Sequence, residues 1–376
     1  MQFKKIKLKD IADINMGQSP SGSSYNNNGR GIPFLQGNKT FGFLYPTIDT
    51  WTTEHKKIGK KNSVLMSVRA PVGDLNIANK DICIGRGLCS IEMKNGNNQY
   101  LYYLLKNSIK KIKMKSTGTV FDSINRKELE NIEILDFNKS QQKKISKVLF
   151  DIDKKIELNI QTNDNLYNMC NAIFHNYLNK YSEQIEYTKI VDIADRVITG
   201  KTPSTKNEEF WNGEIPFITI PDMHNQVFII DTERTISDVG AKSIIPENSI
   251  SVSCIATVGL VSISTKRSQT NQQINSIILK NDYDLYYLFE FLSEQERLMK
   301  NIAGGSTTYN INKTTFENIE IPYLPQSIIQ EFHDTVCKVF DKIKLNQLEN
   351  KNLEQLRDTL LPKLMNGEMD LDNIKI

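Results

Sequence analysis

The feature that most constrains this chain is a long internal repeat. Three short segments carry it: KLKDIAD at Lys7–Asp13 returns as KIVDIAD at Lys189–Asp195, IPF at Ile32–Phe34 returns at Ile215–Phe217, and ENIEI at Glu130–Ile134 returns unchanged at Glu317–Ile321. The offset grows from 182 to 187 residues, so the two copies differ by a few loop residues. Solenoid repeats are much shorter, about 20–45 residues. The repeat therefore predicts a duplicated domain, and two similar domains on one chain can bind two similar targets.

Composition limits the environment of the protein. The chain has 376 residues and is 39% hydrophobic, with no apolar run long enough to span a membrane. Its start, Met1–Lys5, lacks the apolar segment of a secretory signal. The five cysteines are scattered, odd in number and form no CxxC pair. We expect reduced thiols, a cytoplasmic location and no membrane partner.

Charge is distributed unevenly along the chain. Residues 1–180 contain 28 Lys and Arg against 16 Asp and Glu, and residues 181–376 contain 19 against 28. The net charges of the two parts are therefore +12 and −9 within a total of +3. A basic half favours an anionic partner, although the surface of a chain rich in Lys and Asn offers an equally good explanation.

Each copy of the repeat predicts a mixed domain. In residues 1–137, short apolar runs at Ser63–Val68 and Leu75–Ala78 predict strands, and the spacing of apolar residues predicts a helix over Tyr100–Lys113. Residues 183–324 follow the same plan, and Ser249–Ser253 corresponds to the earlier strand.

A long helix with one heptad seam is predicted after each domain. The seam positions are displaced by 187 residues throughout: Ile145, Leu149, Ile152, Ile156, Asn159, Asn163, Leu166, Cys170, Ile173 and Tyr177, then Phe332, Val336, Val339, Ile343, Asn346, Asn350, Leu353, Arg357, Leu360 and Leu364. A seven-residue repeat kept over four heptads indicates a coiled coil rather than two unrelated amphipathic helices. Ten seam positions over 33 residues predict a rod of about 50 Å.

Two asparagines interrupt each seam at equivalent places. Antiparallel pairing would place Asn159 opposite Asn350 and Asn163 opposite Asn346, whereas parallel pairing would place Asn159 opposite Asn346. Side-chain amides satisfy each other in either arrangement. The second domain must connect the end of one helix to the start of the other, which favours the antiparallel alternative. The predicted fold class is thus α+β: two similar mixed α/β domains separated by two long helices that form an antiparallel coiled coil, related by a pseudo-twofold axis.

Motifs of catalysis are missing from the sequence. It contains no Walker A loop, no GxGxxG, no HExxH and no Asn/Asp-Pro-Pro-Tyr motif of an adenine methyltransferase. The four histidines have no metal-ligand spacing. We expect no catalytic residue, no cofactor and no metal site, which together favour a binding protein.

Several motifs occur twice in a fixed order. A Gly-x-Ser/Thr-Pro loop occurs at Gly17–Pro20 and Gly200–Pro203, and a Ser/Thr/Gly loop at Ser116–Thr119 and Gly304–Thr308. The predicted second long helix ends in the segment LLPKLMNGE at Leu360–Glu368. In this duplicated order the chain resembles, over essentially its whole length, the specificity subunit of type I restriction-modification systems.

The resemblance implies a separate role for each segment of the chain. Residues 1–138 and 181–325 would be two target-recognition domains that each read one half of a bipartite, asymmetric site in double-stranded DNA. Residues 139–180 and 326–376 would be the conserved helices that fix the spacer between the half-sites. Two modification subunits, which bind S-adenosylmethionine and methylate adenine, would bind this scaffold, and restriction subunits would join them. The chain itself would catalyse nothing.

Polar side chains on exposed loops are the candidates for reading bases. They are Gln18, Ser19, Gln36, Asn38, Lys39, Arg69, Arg86, Lys113 and Lys115 in the first domain, and Lys201, Thr202, Thr219, Asp222, Asn271 and Gln272 in the second. Arg86 aligns with Gln272, and since Arg commonly reads guanine and Gln adenine, this difference predicts different half-sites. Lys106, Lys110, Lys111, Lys113 and Lys115 would form a basic strip, either for phosphate contact or as a solvated helix face.

Three alternatives remain open at this point. The duplicated domains could bind protein, which would make the chain a non-catalytic scaffold or adaptor. The chain could be an enzyme, such as a fused methyltransferase or nuclease. It could also be the specificity subunit of a related multi-subunit system. Co-purification with a methyltransferase subunit tests the first alternative, a methyl-transfer assay on the chain alone tests the second, and the neighbouring genes test the third.

Overall fold

Contacts divide the chain into two compact units. In the computed structural model, residues 4–115, 123–304 and 309–369 are described. One unit combines Met1–Leu158 with Asn352–Ile376, and the other is Asn159–Lys351, each to the extent of the described residues. The predicted Ser116–Thr119 loop, and all of the Gly304–Thr308 loop after Gly304, lie outside the described residues.

The described strands of the first unit run from the start to the end of the first copy of the repeat. Its described strands are β1 (Lys5–Lys7), β2 (Ala12–Met16), β3 (Tyr25–Asn26), β4 (Ile32–Leu35), β5 (Trp51–Thr52), β6 (Ile58–Gly59), β7 (Val64–Ser67), β8 (Leu75–Ile77), β9 (Ile82–Ile84), β10 (Leu88–Met93) and β11 (Glu133–Leu135). Its helices are α1 (Leu8–Ile11), α2 (Asn98–Lys115), α3 (Arg126–Glu130), the first part of α4 (Lys139–Lys180) and the last part of α10 (Gln326–Met365), with a 3-10 turn at Gly22–Ser24.

Two sheets form the body of the first unit. One has the strand order β2-β10-β7-β8, and the other has the order β3-β5-β4-β9-β6 with β4 and β9 parallel. Every residue of the central strand β10 is buried except Glu92, which is partly exposed. Leu101 and Leu105 of α2 join a core that also contains Leu149 of α4 and Leu361 and Leu364 of α10. The end of the chain's last long helix is therefore part of the first domain's core.

The second unit repeats this arrangement. Its described strands are β12 (Glu186–Lys189), β13 (Ala194–Thr199), β14 (Trp211–Ile218), β15 (Phe228–Ile229), β16 (Arg234–Ile236), β17 (Ile244–Ile245), β18 (Ile250–Ser253), β19 (Val261–Ser264), β20 (Ser268–Thr270), β21 (Ile274–Leu279) and β22 (Glu320–Tyr323). Its helices are α5 (Ile190–Ile193), α6 (Ile220–Met223), α7 (Asp284–Ser293), α8 (Glu296–Ile302), α9 (Lys313–Glu317) and the remaining parts of α4 and α10, with 3-10 turns at Ser182–Gln184 and Glu208–Phe210.

Strand order shows the duplication directly. The order β13-β21-β18-β19 in the second unit matches β2-β10-β7-β8 in the first, with β15 added at the edge. The order β16-β14-β20-β17 matches β5-β4-β9-β6, and β14 and β20 are again parallel. The predicted pair of similar mixed domains is confirmed.

The two long helices run antiparallel within each unit. In the second unit, Asn159 Nδ2 donates to Asn350 Oδ1 at 2.8 Å, and Asn346 Nδ2 donates to Asn163 Oδ1 at 2.8 Å. These are the pairs that the antiparallel alternative requires. In the first unit, residues nearer the start of α4 meet residues nearer the end of α10, and Arg357 Nη1 lies 2.8 Å from Asp153 Oδ1.

Element ends differ from the predictions by one or two residues. Helix α2 begins at Asn98 rather than Tyr100, because Asn97 Oδ1 accepts from the Tyr100 N–H and caps the first turn. The predicted strand Ser63–Val68 is Val64–Ser67. Within the described residues, no helix has the length and apolar character needed to cross a membrane.

Candidate nucleic-acid interface

Several candidate side chains of the first domain meet at one edge of a sheet. Strands β4 and β9 are parallel, with Phe34 opposite Cys83, so their carboxyl ends reach the same edge. Gln36 follows β4, and Arg86 lies in the loop after β9. The two chain segments are joined there, because the Gly87 N–H donates to the Gln36 carbonyl at 3.1 Å. Burial raises the pKa of the Cys83 thiol beneath this edge, so the thiol stays neutral.

The Gly-x-Ser-Pro loop packs onto this edge. The Gly17 and Gln18 N–H groups donate to the carbonyls of Leu88 and Ile84, both at 2.9 Å. A Cβ atom on Gly17 would lie 2.1 Å from the Gly85 carbonyl oxygen, so this approach requires glycine. The loop therefore brings Gln18 and Ser19 beside the two strand ends.

Hydrogen bonds connect the three segments at this edge. Ser19 Oγ donates to Gln36 Oε1 at 2.8 Å, and the Arg86 N–H donates to Ser19 Oγ at 3.2 Å. Gln18, Gln36 and Arg86 are exposed. Four sequence-predicted residues thus form one polar surface, which we name the first-domain edge: Gln18, Ser19, Gln36 and Arg86.

Three further candidates lie around the first-domain edge. The Val68 N–H donates to the Gly87 carbonyl at 2.9 Å, which places exposed Arg69 close to the Arg86 loop. Asn38 Nδ2 donates to Asp74 Oδ2 at 2.6 Å, so its amide holds the turn between β7 and β8. Lys39 is exposed in the loop after β4.

The lysines of the predicted basic strip on α2 differ in their burial. Lys106 turns inward: its Nζ lies 3.9 Å from buried Asp153 Oδ2 and 5.6 Å from the centre of the Tyr102 ring. Lys113 is exposed, while the side chain of Lys115 lies outside the described part of the structure. Lys106 therefore belongs to the domain interior rather than to a phosphate-binding face.

The second domain builds the corresponding edge from its own residues. Strands β14 and β20 are parallel, and the Asn271 N–H after β20 donates to the Ile218 carbonyl at 3.0 Å. The Gly200 loop approaches so closely that a Cβ on Gly200 would lie 2.2 Å from the Asn271 carbonyl oxygen. Thr202 Oγ1 donates to Gln272 Oε1 at 2.5 Å. We name this surface the second-domain edge: Lys201, Thr202, Thr219, Asn271 and Gln272.

Asp222 has a structural task at this edge. Its Oδ2 accepts from the Thr219 N–H at 2.7 Å and from the Thr219 hydroxyl at 2.6 Å, and its Oδ1 accepts from the Glu233 N–H at 2.9 Å. Both carboxylate oxygens are engaged by the protein itself. Asp222 therefore fixes the loop between β14 and α6.

Gln269 has a role that was not predicted from the sequence. Its fully buried Nε2 donates to the Lys201 carbonyl at 2.6 Å, and its Oε1 accepts from the Lys242 and Ser243 N–H groups. It thereby fixes the backbone of the Gly-x-Thr-Pro loop. The sequence signal for this role was a glutamine at the position of β20 that corresponds to Cys83 in the first domain. Among the described residues, no group of three or more His, Cys, Asp or Glu side chains could hold a metal ion.

Comparison with known proteins gives matches in both halves of the chain. A family model described as the type I restriction modification DNA specificity domain matches residues 2–168 and 182–356. The type I restriction enzyme HindI specificity subunit of Haemophilus influenzae is 47% identical over 188 residues, which cover 48% of this chain and 41% of that protein. The putative MjaX specificity subunit of Methanocaldococcus jannaschii is 42% identical over 172 residues, covering 42% and 40%. The chain thus spans about two fifths of these two relatives.

Two further matches extend over nearly the whole chain. The type I restriction enzyme MjaIX specificity subunit of Methanocaldococcus jannaschii is 27% identical over 407 residues, covering 98% of this chain and 94% of that protein. The crystal structure of a type I restriction-modification S subunit from M. genitalium superimposes with a TM-score of 0.63 at 17% identity, covering 97% of this chain and 96% of that one. At this identity the structural likeness shows a shared fold.

Proposed function

Because this chain belongs to the type I restriction modification DNA specificity domain family, whose model matches residues 2–168 and 182–356, we propose that it is the specificity subunit of a type I restriction-modification complex. It would read a bipartite site in double-stranded DNA and position the subunits that modify and cleave that DNA.

The single observation that carries the proposal is the pair of equivalent polar edges. Each edge presents amide, hydroxyl and cationic side chains at the ends of two parallel strands, held by a Gly-x-Ser/Thr-Pro loop. Such side chains donate to and accept from base edges in the major groove. A protein that recognises DNA needs such a set on a rigid support, and both domains supply one.

Equivalent positions on the two edges carry different chemistry. Gln18 corresponds to Lys201, Gln36 to Thr219, and Arg86 to Gln272. Because donors and acceptors differ between the edges, the two domains would select different bases. The recognised site would therefore be asymmetric, with one half-site for each domain.

Other subunits would supply the chemistry. We propose that two modification subunits bind the chain and methylate adenine with S-adenosylmethionine, that restriction subunits join them, and that the complex works in the cytoplasm without a membrane partner. The chain itself would recognise DNA and would not catalyse a reaction. Its antiparallel helices would set the spacer between the half-sites.

Methylation mapping tests this proposal. The chain would be expressed with a type I modification subunit from the same genome in a host without other DNA methylation, and methylated bases would be mapped by long-read sequencing. We expect co-purification of the two proteins and methylation of one bipartite, asymmetric site. A control without this chain should give no methylation at that site, and the chain alone should transfer no labelled methyl group. Absence of both co-purification and site-specific methylation would refute the proposal.

A single substitution tests whether the first-domain edge reads DNA. Arg86→Gln should change the preferred base at one position of one half-site and leave the other half-site unaltered. Lys110→Gln, on the outer part of α2, serves as a control that should leave both half-sites unchanged. If Arg86→Gln leaves the methylation pattern unaltered, Arg86 is a loop residue without a part in recognition. If the chain were an adaptor that binds only protein, neither variant would change the DNA sequence that is methylated.

A further inference from the structure

The hydroxyl group of the Gly-x-Ser/Thr-Pro loop is hydrogen-bonded to a glutamine in both domains. Resting on the proposed function, we propose that each domain reads one base through this glutamine, whose amide the hydroxyl orients so that the NH2 group faces the DNA as a donor. The readers would be Gln36 in the first domain and Gln272 in the second. Ser19 and Thr202 would be positioning residues that do not touch a base.

The direction of the hydrogen bonds at Ser19 defines the orientation of Gln36. A serine hydroxyl has one proton to donate and two lone pairs to accept with. The Arg86 N–H occupies a lone pair at 3.2 Å, and the hydroxyl proton is directed at Gln36 Oε1 at 2.8 Å. The carbonyl oxygen of the Gln36 amide therefore faces the protein, and its Nε2 faces away from Ser19.

The backbone around Gln36 is also held in place. Its carbonyl accepts from the Gly87 N–H at 3.1 Å, and the preceding Leu35 carbonyl accepts from the Gly85 N–H at 2.8 Å. The side chain is exposed beyond these bonds. A side chain held in one conformation loses less conformational entropy when it binds, so the hydroxyl clamp favours recognition.

The second domain reaches the same result with a glutamine from the other strand end. Gln272 follows β20, whereas Gln36 follows β4, the counterpart of β14. Thr202 Oγ1 nevertheless donates to Gln272 Oε1 at 2.5 Å, and Gln269 fixes the backbone of the Thr202 loop through the Lys201 carbonyl. Two different strand positions thus converge on the same loop hydroxyl and the same amide atom.

This orientation restricts the base that can be read. A glutamine reads adenine by using its oxygen and its nitrogen together, accepting from N6 and donating to N7. Here the loop hydroxyl takes one of the two lone pairs of that oxygen and holds the oxygen toward the protein. The exposed NH2 group is left to donate to an acceptor: guanine offers two adjacent acceptors, O6 and N7, and thymine offers O4, whereas adenine offers only N7, beside its own N6 donor. The clamp therefore favours guanine or thymine and disfavours adenine.

The test uses the complete complex of this chain with its modification subunits. Base frequencies at every position of the methylated site are compared for the unaltered chain and for Gln36→Ala, Ser19→Ala and Ser19→Thr. We expect Gln36→Ala and Ser19→Ala to reduce discrimination at one shared position of one half-site, by roughly fivefold or more. Ser19→Thr keeps the hydroxyl and should retain discrimination. In the second domain, Gln272→Ala and Thr202→Val should relax only the other half-site, and Thr202→Ser should not.

Modified bases test which atom of the base accepts the hydrogen bond from the glutamine NH2 group. If the relaxed position is an A·T pair, a duplex with 7-deazaadenine there lacks adenine N7; the complex should bind it as tightly as the normal duplex, because the donor contacts thymine O4. If the position is a G·C pair, at least one of 7-deazaguanine, which lacks N7, and 2-aminopurine, which lacks O6, should weaken binding by the unaltered complex more than binding by the Gln36→Ala complex. Loss of affinity with 7-deazaadenine that depends on Gln36 would overturn the inference.

The outcomes also separate this inference from the proposed function. If the unaltered complex methylates a bipartite site while Gln36→Ala and Ser19→Ala leave every position unchanged, the glutamine inference fails and the function stands. If the unaltered complex modifies no defined site, the function fails. Co-purification of each variant with the modification subunit, at the yield of the unaltered chain, shows that the variant is folded.

Discussion

A buried ion pair between the long helices gives a quantitative prediction for the first unit. Asp153 is fully buried, and its Oδ1 accepts from Arg357 Nη1 at 2.8 Å while its Oδ2 accepts from the Tyr103 hydroxyl at 2.8 Å. Burial and the neighbouring Asp153 raise the pKa of Tyr103 well above its ordinary value, so the phenol keeps its proton and donates. In Arg357→Met, Asp153 would remain buried with Tyr103 and with Lys106 at 3.9 Å.

The expected cost is about 3 kcal/mol in the free energy of unfolding of the first unit. Removing one partner of a buried pair costs about 3–5 kcal/mol, and the nearby Lys106 places this case at the lower end. Replacing the whole group, as Asp153→Leu, Arg357→Met, Tyr103→Phe and Lys106→Met together, should return the stability to within about 1 kcal/mol of the unaltered chain, because no charge is then left buried alone.

Tryptophan fluorescence measures the two units separately. The chain has two tryptophans, Trp51 in the first unit and Trp211 in the second. In a Trp211→Phe background, urea titration should show a lower midpoint for Arg357→Met. The control Arg126→Met breaks an exposed pair with Glu130 in the same unit and should cost less than about 0.5 kcal/mol. An unchanged Trp51 midpoint for Arg357→Met, or an equal loss in the control, would refute the reasoning.

Three further predictions concern the second unit and the thiols. Burial raises the pKa of Glu290 to about 8 from an unfolded value of 4.5, so the stability of the second unit should fall as pH rises from about 4.5 to 8. Glu290→Gln should reduce this slope in urea titrations read from Trp211, and an unreduced slope would contradict the prediction. Asn346→Leu leaves the Asn163 amide oxygen without its donor and should cost about 1–3 kcal/mol by the same titration, which adding Asn163→Leu should recover. Cys337 is partly exposed while the other four cysteines are buried, so a thiol reagent should modify one group rapidly in the folded chain and none in Cys337→Ser; two rapid groups would exclude this assignment.

The repeat made much of the fold predictable. Because the two copies align over their whole length, the domain plan and the two asparagine pairs could be predicted from residue numbers. The Gly-x-Ser/Thr-Pro loops and the residues after parallel strands also pointed to the two edges. These features depend on local sequence and on spacing, which a single chain displays.

Side-chain direction was harder to predict, because it depends on partners distant in sequence. Lys106 was placed on an exposed basic strip, yet it turns toward Asp153. Asp222 was a candidate reader, yet its spacing of three from Thr219 is that of a capping box, a local signal that indicated its structural task. Ser19 and Gln36 were predicted as separate candidates, and their hydrogen bond became visible only when the sheet edge was built.

The division of the chain into units determines the order in which a ribosome can complete them. The second unit is one continuous segment, Asn159–Lys351, so all of its residues emerge together. The first unit lacks Leu361 and Leu364 from its core until translation has passed the whole of the second. The domain synthesised first is therefore the one whose core is completed last. Until the end of α10 has been synthesised, the apolar surface around Leu149 stays uncovered.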